Sequence, residues 1–261
     1  MPSSYPFISI ITPVDPSRME FFSETIASVV EAASYSYDFE WIVQVDGVET
    51  ECAKEALKAS ANIQANLVHC GPGATRNFAL QRAKGLYVRN LDADDVLLPQ
   101  AITELTAFLQ CYGLPAWAVS AVVDMENGKP ISRGKDTELN PIIPAGELVN
   151  VWTEHLPVHP TTLCIQSDIA RALGGWMGLP ASEDTGLLMA VSTLYDGGYL
   201  ATPTVLYRRS QIQMSTSATW GDLETRYAIA RRRAECIARI MAPIKIQEKH
   251  SDADSNRESS G

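Results

Sequence analysis

Three carboxylates, Asp92, Asp94 and Asp95, end the segment "LYVRNLDADD" at residues 86–95. The apolar part of this segment is typical of a buried strand, so the acids follow the strand's carboxyl end. Carboxylates withdrawn from water repel one another, and such a cluster needs either a solvated turn or a cation. In the first case Asp95 would cap the helix expected near Leu98. In the second, Asp94 and its neighbours would offer the oxygen ligands that divalent cations prefer.

A glycine-flanked turn, "CGPGATRN" at 70–77, precedes this strand and opens a predicted helix. The turn brings Arg76 toward the same edge of the predicted sheet. Backbone amides at a helix start, together with an arginine, suit a phosphate group. Carboxylates on one side and phosphate donors on the other fit a metal-bound diphosphate, because the cation takes oxygens from both.

The elements that would position these residues alternate between strand and helix through the first half of the chain. Such alternation predicts an α/β fold, with a mostly parallel central sheet flanked by helices on both faces. Ligands of such sheets bind beyond the carboxyl ends of the strands, where the three aspartates lie. The predicted strands are 7–14, 39–47, 66–70 and 86–94, and the predicted helices are 18–33, 51–61, 73–85 (closed by Gly85) and 98–113.

The second half of the chain is less regular. We predict a hairpin at 116–131, a loop with a short helix at 134–160, a strand at 161–166, and helices at 167–175 (capped by Ser167), 182–198 and 220–241. The last helix has an apolar stripe from Leu223 to Met241, which must pack against its own domain or against a second subunit in a homodimer. The polar tail, 248–261, is expected to be disordered.

Composition limits the classes of protein. The chain has 261 residues, enough for one large α/β domain, and its formal charge of −10 argues against a general nucleic-acid binder. Five scattered cysteines without a C-x-x-C pair argue against a disulfide framework and a zinc site. The longest apolar runs are too short to span a bilayer, and the N-terminus lacks the features of a signal peptide, so we expect a cytoplasmic protein.

Four segments carry a resemblance to a known family: "ISIITPV", "WIVQVDG", "GATRNFALQRAKGLYVRNLDADD" and "GGWMGLPASEDTGLLM". In order and spacing, over most of residues 7–215, they resemble the GT-A glycosyltransferases of family 2. The resemblance implies one domain, 1–247, with a Rossmann-like nucleotide-sugar half (about 1–110), an acceptor half (about 111–215) and a C-terminal helix (about 216–243). It also implies an inverting enzyme that moves a sugar from a nucleoside diphosphate, expected to be UDP, to a hydroxyl or other nucleophile on a glycan or small metabolite.

The resemblance also assigns roles in the donor site. Pro13 would lie beside the base, and Asp46, matching the second acid of the family's "DDGS" turn, would hold the base or ribose. Asp92 would lie near the ribose, and Asp94 would be the direct ligand of a divalent metal, Mn²⁺ or Mg²⁺. The residues implied for donor binding are Pro13, Asp15, Asp46, Arg76, Asp92 and Asp94.

On the acceptor side, the "SED" segment at 182–184 matches the family's motif, with Asp184 as the catalytic base. Inverting transfer needs one carboxylate to take the proton from the attacking hydroxyl, and a helix N-terminus is expected to keep that acid ionised. Glu183 and Trp176 are implied as acceptor contacts. The alternatives are that the two acids only complement the helix dipole and that Trp176 is a core aromatic.

Departures from the family pattern leave one alternative function open. Val45 and Val48 replace two positions of the "DDGS" turn, and Ser210 stands where a histidine is often a metal ligand. A catalytically inactive nucleotide-sugar-binding protein is therefore the alternative, although the aspartates are retained. A sugar-1-phosphate nucleotidyltransferase is disfavoured, because "TPVDPSRMEFF" lacks the glycine-rich loop that such an enzyme needs after its first strand. His159 is interpreted as an ordinary loop residue.

Overall fold

A computed structural model describes residues 6–36, 38–48, 62–131, 139–152, 156–209 and 222–258, with side chains described up to Met241. In these ranges the strands belong to one sheet. They are β1 (Ile8–Val14), β2 (Phe39–Val45), β3 (Asn62–Ala65), β4 (Tyr87–Asn90), β5 (Val96–Leu97), β6 (Trp117–Glu126), β7 (Lys129–Ile131), β8 (Ile142–Ile143), β9 (Cys164–Gln166) and β10 (Gly197–Arg208). The helices are α1 (Phe22–Ala32), α2 (Pro72–Leu80), α3 (Ala101–Cys111), α4 (Glu147–Val151), α5 (Ser167–Ala172), α6 (Glu183–Leu194) and α7 (Leu223–Glu258), with a 3₁₀ helix at Pro160–Thr162.

The sheet has the strand order β3-β2-β1-β4-β9-β6-β10-β5, with β7 paired to β6 and β8 paired to β10. Strands β3, β2, β1 and β4 are parallel, whereas β9 runs antiparallel to both β4 and β6. The chain leaves β1 toward β2 and β3 and then returns to place β4 on the other side of β1. The carboxyl ends of β1 and β4 therefore flank a topological switch point, the place where open α/β sheets bind ligands.

Helices cover both faces of the sheet, as predicted. Ile10 and Leu105 belong to the core between the sheet and helices α1 and α3. Ile11, adjacent to Ile10 in β1, belongs to the opposite core with Leu187 of α6. Neighbouring residues of one strand thus enter opposite cores, because side chains alternate across a strand.

The hairpin predicted at 116–131 is confirmed. Strands β6 and β7 pair antiparallel around Asn127 and Gly128, whose φ angles are 50° and 73°. Positive φ at both central residues is the geometry of a two-residue hairpin turn, and the Asn-Gly pair tolerates it well.

The strand predicted at 66–70 is wrong, since β3 ends at Ala65 and residues 66–71 form a loop. Leu67 in this loop is 96% exposed, and the side chain of Asn66 is buried among hydrogen-bond partners. The apolar letters of "NLVHC" suggested a buried strand, but Leu67 and Val68 point into solvent. This loop is called the β3–α2 loop below.

Two predicted helix caps are also wrong. Helix α2 ends at Leu80, so Gly85 does not close it. A Cβ atom at Gly85 would lie 2.5 Å from the backbone nitrogen of Ser9, so glycine is needed there for close approach to β1. Ser167 is the first residue of α5 and makes no cap hydrogen bond; its hydroxyl donates instead to the carbonyl of Gly85.

Strand β10 was missed by the sequence interpretation. The helix predicted at 182–198 ends at Leu194, and the chain then forms a long strand at Gly197–Arg208. Gly197 lies directly on the indole of Trp117, where a Cβ atom would overlap the ring. Gly197 and Gly198 therefore start a strand of the central sheet instead of ending a helix.

The C-terminal helix packs on its own domain. Ala230 and Ala234 of α7 are buried in the core that contains α6, and Tyr227 meets Trp152 edge-on at 4.9 Å between ring centroids. The own-domain alternative therefore accounts for the centre of the apolar stripe. The helix continues to Glu258, and the expected disorder of the tail 248–261 stays a prediction. The helix predicted at 51–61 lies outside the described residues. Within the described residues, no helix has the length and hydropathy to span a membrane.

Candidate active site

The turn that carries the three acids is held from two sides. The hydroxyl of Thr25 in α1 lies 2.9 Å from the carbonyl of Ala93 and 2.8 Å from that of Asp95. From the other side, Nε of Arg208 in β10 donates to the carbonyl of Asp94 at 2.8 Å. With its backbone carbonyls bound by two neighbouring elements, the turn presents its carboxylates from a fixed frame.

Asp95 is not a helix cap, because α3 begins at Ala101 and Gln100 precedes it. Its Oδ1 accepts the backbone N–H of Arg208 at 2.8 Å, which ties the turn to β10. Its Oδ2 is buried and has no hydrogen-bond partner among the described residues. Burial, and then the charges of Asp94 and Asp92, raise the pKa of Asp95 well above its ordinary value.

Four carboxylates, those of Asp92, Asp94, Asp95 and Asp184, converge at the carboxyl edge of the sheet. Burial, followed by repulsion from Asp92, raises the pKa of Asp94 to about 6. The phenol of Tyr207 has a raised pKa because it is buried and lies in the field of Asp95, Asp92, Asp94 and Asp184. Tyr207 of β10 therefore lies in the electrostatic field of both the acids that follow β4 and the acid of α6. The carboxyl edge of the sheet consequently carries excess negative charge at one place.

Arg76 links the two groups of acids. Its Nη2 lies 2.5 Å from Oδ1 of Asp92, and its Nη1 donates to Oε1 of Glu183. Burial alone would lower the pKa of this guanidinium, but Asp92 and Glu183 raise it overall, so the arginine stays charged. The expected phosphate contact by Arg76 stays a prediction, since both terminal nitrogens bind carboxylates here.

Two residues expected to contact the acceptor are buried. Glu183 is paired with Arg76, and the indole of Trp176 is packed among core residues. The backbone N–H of Trp176 donates to the side chain of Asn77 at 2.9 Å, and its carbonyl accepts from the same amide at 3.0 Å. Trp176 is therefore packed as a core aromatic and Glu183 is the partner of Arg76, while the implied acceptor contacts of both residues stay predictions.

Asp184 occupies the first turn of α6 beside these groups. Its Oδ1 accepts the backbone N–H of Thr185 at 2.7 Å. Burial, and then the neighbouring charge of Glu183, raise the pKa of Asp184 to about 7 against the lowering effect of Arg76. Desolvation and like charge therefore act against the ionised state that the helix N-terminus was expected to favour.

Asp46 lies at the end of β2 and is 5% exposed. Its Oδ1 accepts the backbone N–H of Cys70 at 2.7 Å and the side-chain amide of Asn66 at 3.1 Å. Its Oδ2 accepts the N–H of Gly71 at 2.8 Å and lies 2.8 Å from Nδ1 of His69. Burial acts to raise the pKa of Asp46, but these hydrogen bonds lower it overall, so the group is a carboxylate that organises the β3–α2 loop.

Replacement of Asp46 by Ala is expected to lower the free energy of unfolding by about 2–3 kcal/mol. The change removes the acceptor of several partly buried donors, and hydrogen bonds to a charged group contribute about 1.5–3 kcal/mol each before compensation. Urea denaturation followed by circular dichroism measures the loss. Asp168→Ala is the matched control, because that side chain is 98% exposed and its removal should change stability by less than about 0.5 kcal/mol. Equal stability of the two variants would contradict the role of Asp46.

The other predicted site residues lie near the same edge. Pro13 is opposite Gln44 in the β1–β2 register, and Asp15 follows β1 directly. Oδ1 of Asp15 accepts from the backbone N–H and the hydroxyl of Ser17, so the side chain shapes its own turn. The ring of His159 lies 4.2 Å from that of Tyr207, centroid to centroid.

Sequence reasoning missed several residues of this site. Tyr207 and Arg208 belong to the segment "YRRS", which resembles a common family pattern, but the sequence interpretation assigned them no role. Thr25 and His69 carried none, because their roles depend on contacts with distant segments. Ser210 lies outside the described residues.

The donor atoms suit a hard divalent cation. Asp94 and Asp95 have raised pKa values, and the buried Oδ2 of Asp95 accepts no hydrogen bond from the part of the chain that the structure describes. In the described part of the chain, no three His, Cys, Asp or Glu residues are arranged to hold a metal ion. The protein would therefore supply one or two carboxylates, and the rest of the coordination shell would come from phosphate oxygens and water, as is usual for Mg²⁺.

Residues 9–170 match the family model described as glycosyl transferase family 2, and the chain belongs to this family. A curated relative, an uncharacterized glycosyltransferase of Methanocaldococcus jannaschii, is 25% identical over 179 residues. That match covers 64% of this chain and 58% of the relative, so the chain spans a little over half of the length of that protein.

Solved structures share the fold. The structure of S. aureus TarS residues 1–349 in complex with UDP superposes with a TM-score of 0.64 and 18% identity, covering 78% of this chain and 60% of TarS 1–349. The complex of the same TarS segment with UDP-GlcNAc gives a TM-score of 0.66 and 16% identity, covering 88% of this chain and 70% of that segment. At this identity the likeness establishes the GT-A fold, with one α/β domain, as the resemblance implied.

Proposed function

We propose that this protein transfers a sugar from a uridine diphosphate sugar to an acceptor nucleophile, with inversion at the anomeric carbon. The observation that carries the proposal is the convergence of two acidic groups from separate elements. Asp92, Asp94 and Asp95 follow β4, Asp184 belongs to α6, and Arg76 contacts both Asp92 and Glu183, the neighbour of Asp184. Donor and acceptor chemistry have different demands, and this arrangement offers carboxylates for each.

The donor is a nucleoside diphosphate sugar held at the β1–β4 switch point. Membership of glycosyl transferase family 2 supports this class of donor, and the structural neighbour TarS binds UDP and UDP-GlcNAc. The N-terminus of α2 faces the same edge and carries a partial positive charge that suits a phosphate. No motif in the described residues specifies the sugar. The acceptor is a glycan or a small metabolite.

A divalent cation, Mn²⁺ or Mg²⁺, would be held by Asp94, with Asp95 as a further carboxylate. Bound there, the cation would neutralise the charge that develops on the leaving diphosphate. The residues of this chain contribute the frame. Thr25 and Arg208 fix the backbone of the turn that follows β4. The ion pair with Arg76 holds the carboxylate of Asp92 in place.

Asp184 is proposed as the general base. A base for inverting transfer must stand on the acceptor side, take one proton from the attacking hydroxyl and hold it as the nucleoside diphosphate leaves. A pKa of about 7 suits that task, because the group is partly deprotonated at neutral pH and is also a stronger base than an ordinary aspartate. No covalent intermediate is needed.

Replacement of Asp94 by Asn is expected to weaken UDP binding at least tenfold with Mn²⁺ and to leave the weaker metal-free binding nearly unchanged. The amide keeps the shape of the side chain but removes the charge that would attract a cation. Calorimetric titration of UDP with 1 mM Mn²⁺ or with EDTA measures both values. Asp168→Asn serves as the control with an exposed acid. Equal losses with and without metal would refute the assignment of Asp94 as a ligand.

A transfer or hydrolysis assay distinguishes an active glycosyltransferase from a catalytically inactive nucleotide-sugar-binding protein. The purified protein with Mn²⁺ and a panel of UDP-sugars should release UDP from one of them slowly without an acceptor. Binding of UDP without any release, with every sugar and with added acceptors, would favour the inactive alternative.

A further inference from the structure

Asp46 has no acceptor capacity left for a ligand. A carboxylate offers about four lone-pair directions, and here Cys70 N, Asn66 Nδ2, Gly71 N and His69 Nδ1 take them. The group is also nearly excluded from solvent. The role of holding the base or ribose, which the family resemblance implies for Asp46, would therefore fall to another side chain at this edge.

His69 is the side chain that Asp46 orients. Because Asp46 has a lowered pKa and carries no proton, the hydrogen between the two groups belongs to Nδ1 of His69. In the neutral imidazole this fixes the tautomer, so that Nε2 is left as a hydrogen-bond acceptor. The imidazole is 58% exposed, so this acceptor is open to a ligand.

The spacing along α2 fits a nucleoside. His69 precedes the N-terminus of α2, and Arg76 lies on the same helix, where it binds Asp92 of the metal-side turn. From Gly71 to Arg76 the helix rises by about 7.5 Å at 1.5 Å per residue. This suits a ligand whose ribose and diphosphate lie by the turn of Asp92 and Asp94 and whose base lies by the β3–α2 loop. The exposed side chains of Leu67 and Val68 in that loop are apolar, as the face of a base requires.

We infer that His69, held by Asp46, recognises the base of the donor. Its Nε2 accepts a hydrogen bond from the N3–H of uracil. This inference rests on the proposed function, because it names the base that the donor site selects. Uracil presents a donor at N3, whereas cytosine presents a lone pair there, which neutral Nε2 opposes. His69 is thus a specificity residue, and Asp46 is its positioning residue.

The experiment compares three ligands on three proteins by calorimetric titration with Mn²⁺: UDP, CDP and UDP methylated at N3, with the wild type, His69→Ala and His69→Gln. The wild type should bind UDP at least tenfold more tightly than the methylated analogue or CDP. In His69→Ala, UDP binding should fall about tenfold while binding of the methylated analogue stays within about twofold. His69→Gln should keep part of the preference, because its amide oxygen can accept from N3–H.

Two outcomes would overturn the inference in distinguishable ways. If His69→Ala keeps the full preference for UDP over the methylated analogue, His69 does not read the base, while the proposed transfer reaction stands. If the wild type binds no nucleoside diphosphate, with Mn²⁺ or without, both the inference and the proposed function fail. Thermal unfolding of His69→Ala should stay close to that of the wild type, since Asp46 keeps its hydrogen bonds from Cys70, Gly71 and Asn66.

Discussion

Asp184→Asn is expected to lower sugar transfer by about 10² to 10⁴-fold while UDP binding stays within about twofold. Asparagine keeps the size of the side chain and can still accept the N–H of Thr185, but it cannot take a proton from the acceptor. The side chain belongs to α6 and not to the turn that follows β4, and the positive charge of Arg76 lies between Asp92 and Glu183, so UDP binding should change little. Transfer kinetics and calorimetry on the same preparation measure the two effects.

The pH dependence gives an independent test of the same group. A base must be deprotonated, and burial with the charge of Glu183 raises the pKa of Asp184 to about 7. We therefore expect kcat/KM to reach its full value above pH 8 and to fall about tenfold per pH unit below pH 6. The Asp184→Asn variant should lack this limb.

The control for Asp184→Asn is Asp168→Asn, at the exposed start of α5, which should leave the transfer rate and the pH profile unchanged. Near-normal transfer by Asp184→Asn would exclude the general-base role. Loss of UDP binding together with transfer would instead make Asp184 part of the donor site.

Arg76→Met is expected to lower the free energy of unfolding by about 3–5 kcal/mol, because it leaves Asp92 and Glu183 without their partner in a water-poor place. Methionine keeps much of the length of the side chain, so packing is largely conserved. The double variant Arg76→Met/Glu183→Gln should recover part of the loss, since the neutral amide is less costly to leave unpaired. Urea denaturation measures all three proteins.

The matched control is Arg232→Met, which removes an exposed arginine whose ion pair with Glu235 spans 3.4 Å. Such surface pairs contribute about 0–1 kcal/mol, so this variant should be nearly as stable as the wild type. A loss below about 1 kcal/mol for Arg76→Met would mean that the bridge between the two acidic groups does not stabilise the fold.

Local patterns were sufficient where the physics is local. The Asn127-Gly128 turn was predictable because these residues tolerate positive φ, and the hairpin follows from it. The buried strands β1 and β2 were predictable from continuous apolar runs between turn residues. By contrast, the letters "NLVHC" suggested a strand, yet Asp46, distant in sequence, holds them as a loop.

The sequence by itself determined the α/β class, the buried strands β1 and β2 and the acids that follow β4, because apolar runs between turn residues and a short motif encode them. Only the tertiary structure decided the state of each acid. Arg76 was expected at a phosphate and lies between Asp92 and Glu183; Asp184 was expected to be ionised and has a pKa of about 7. The physical reason is that charge and burial at a site depend on which distant segments meet there, and no local pattern records that meeting.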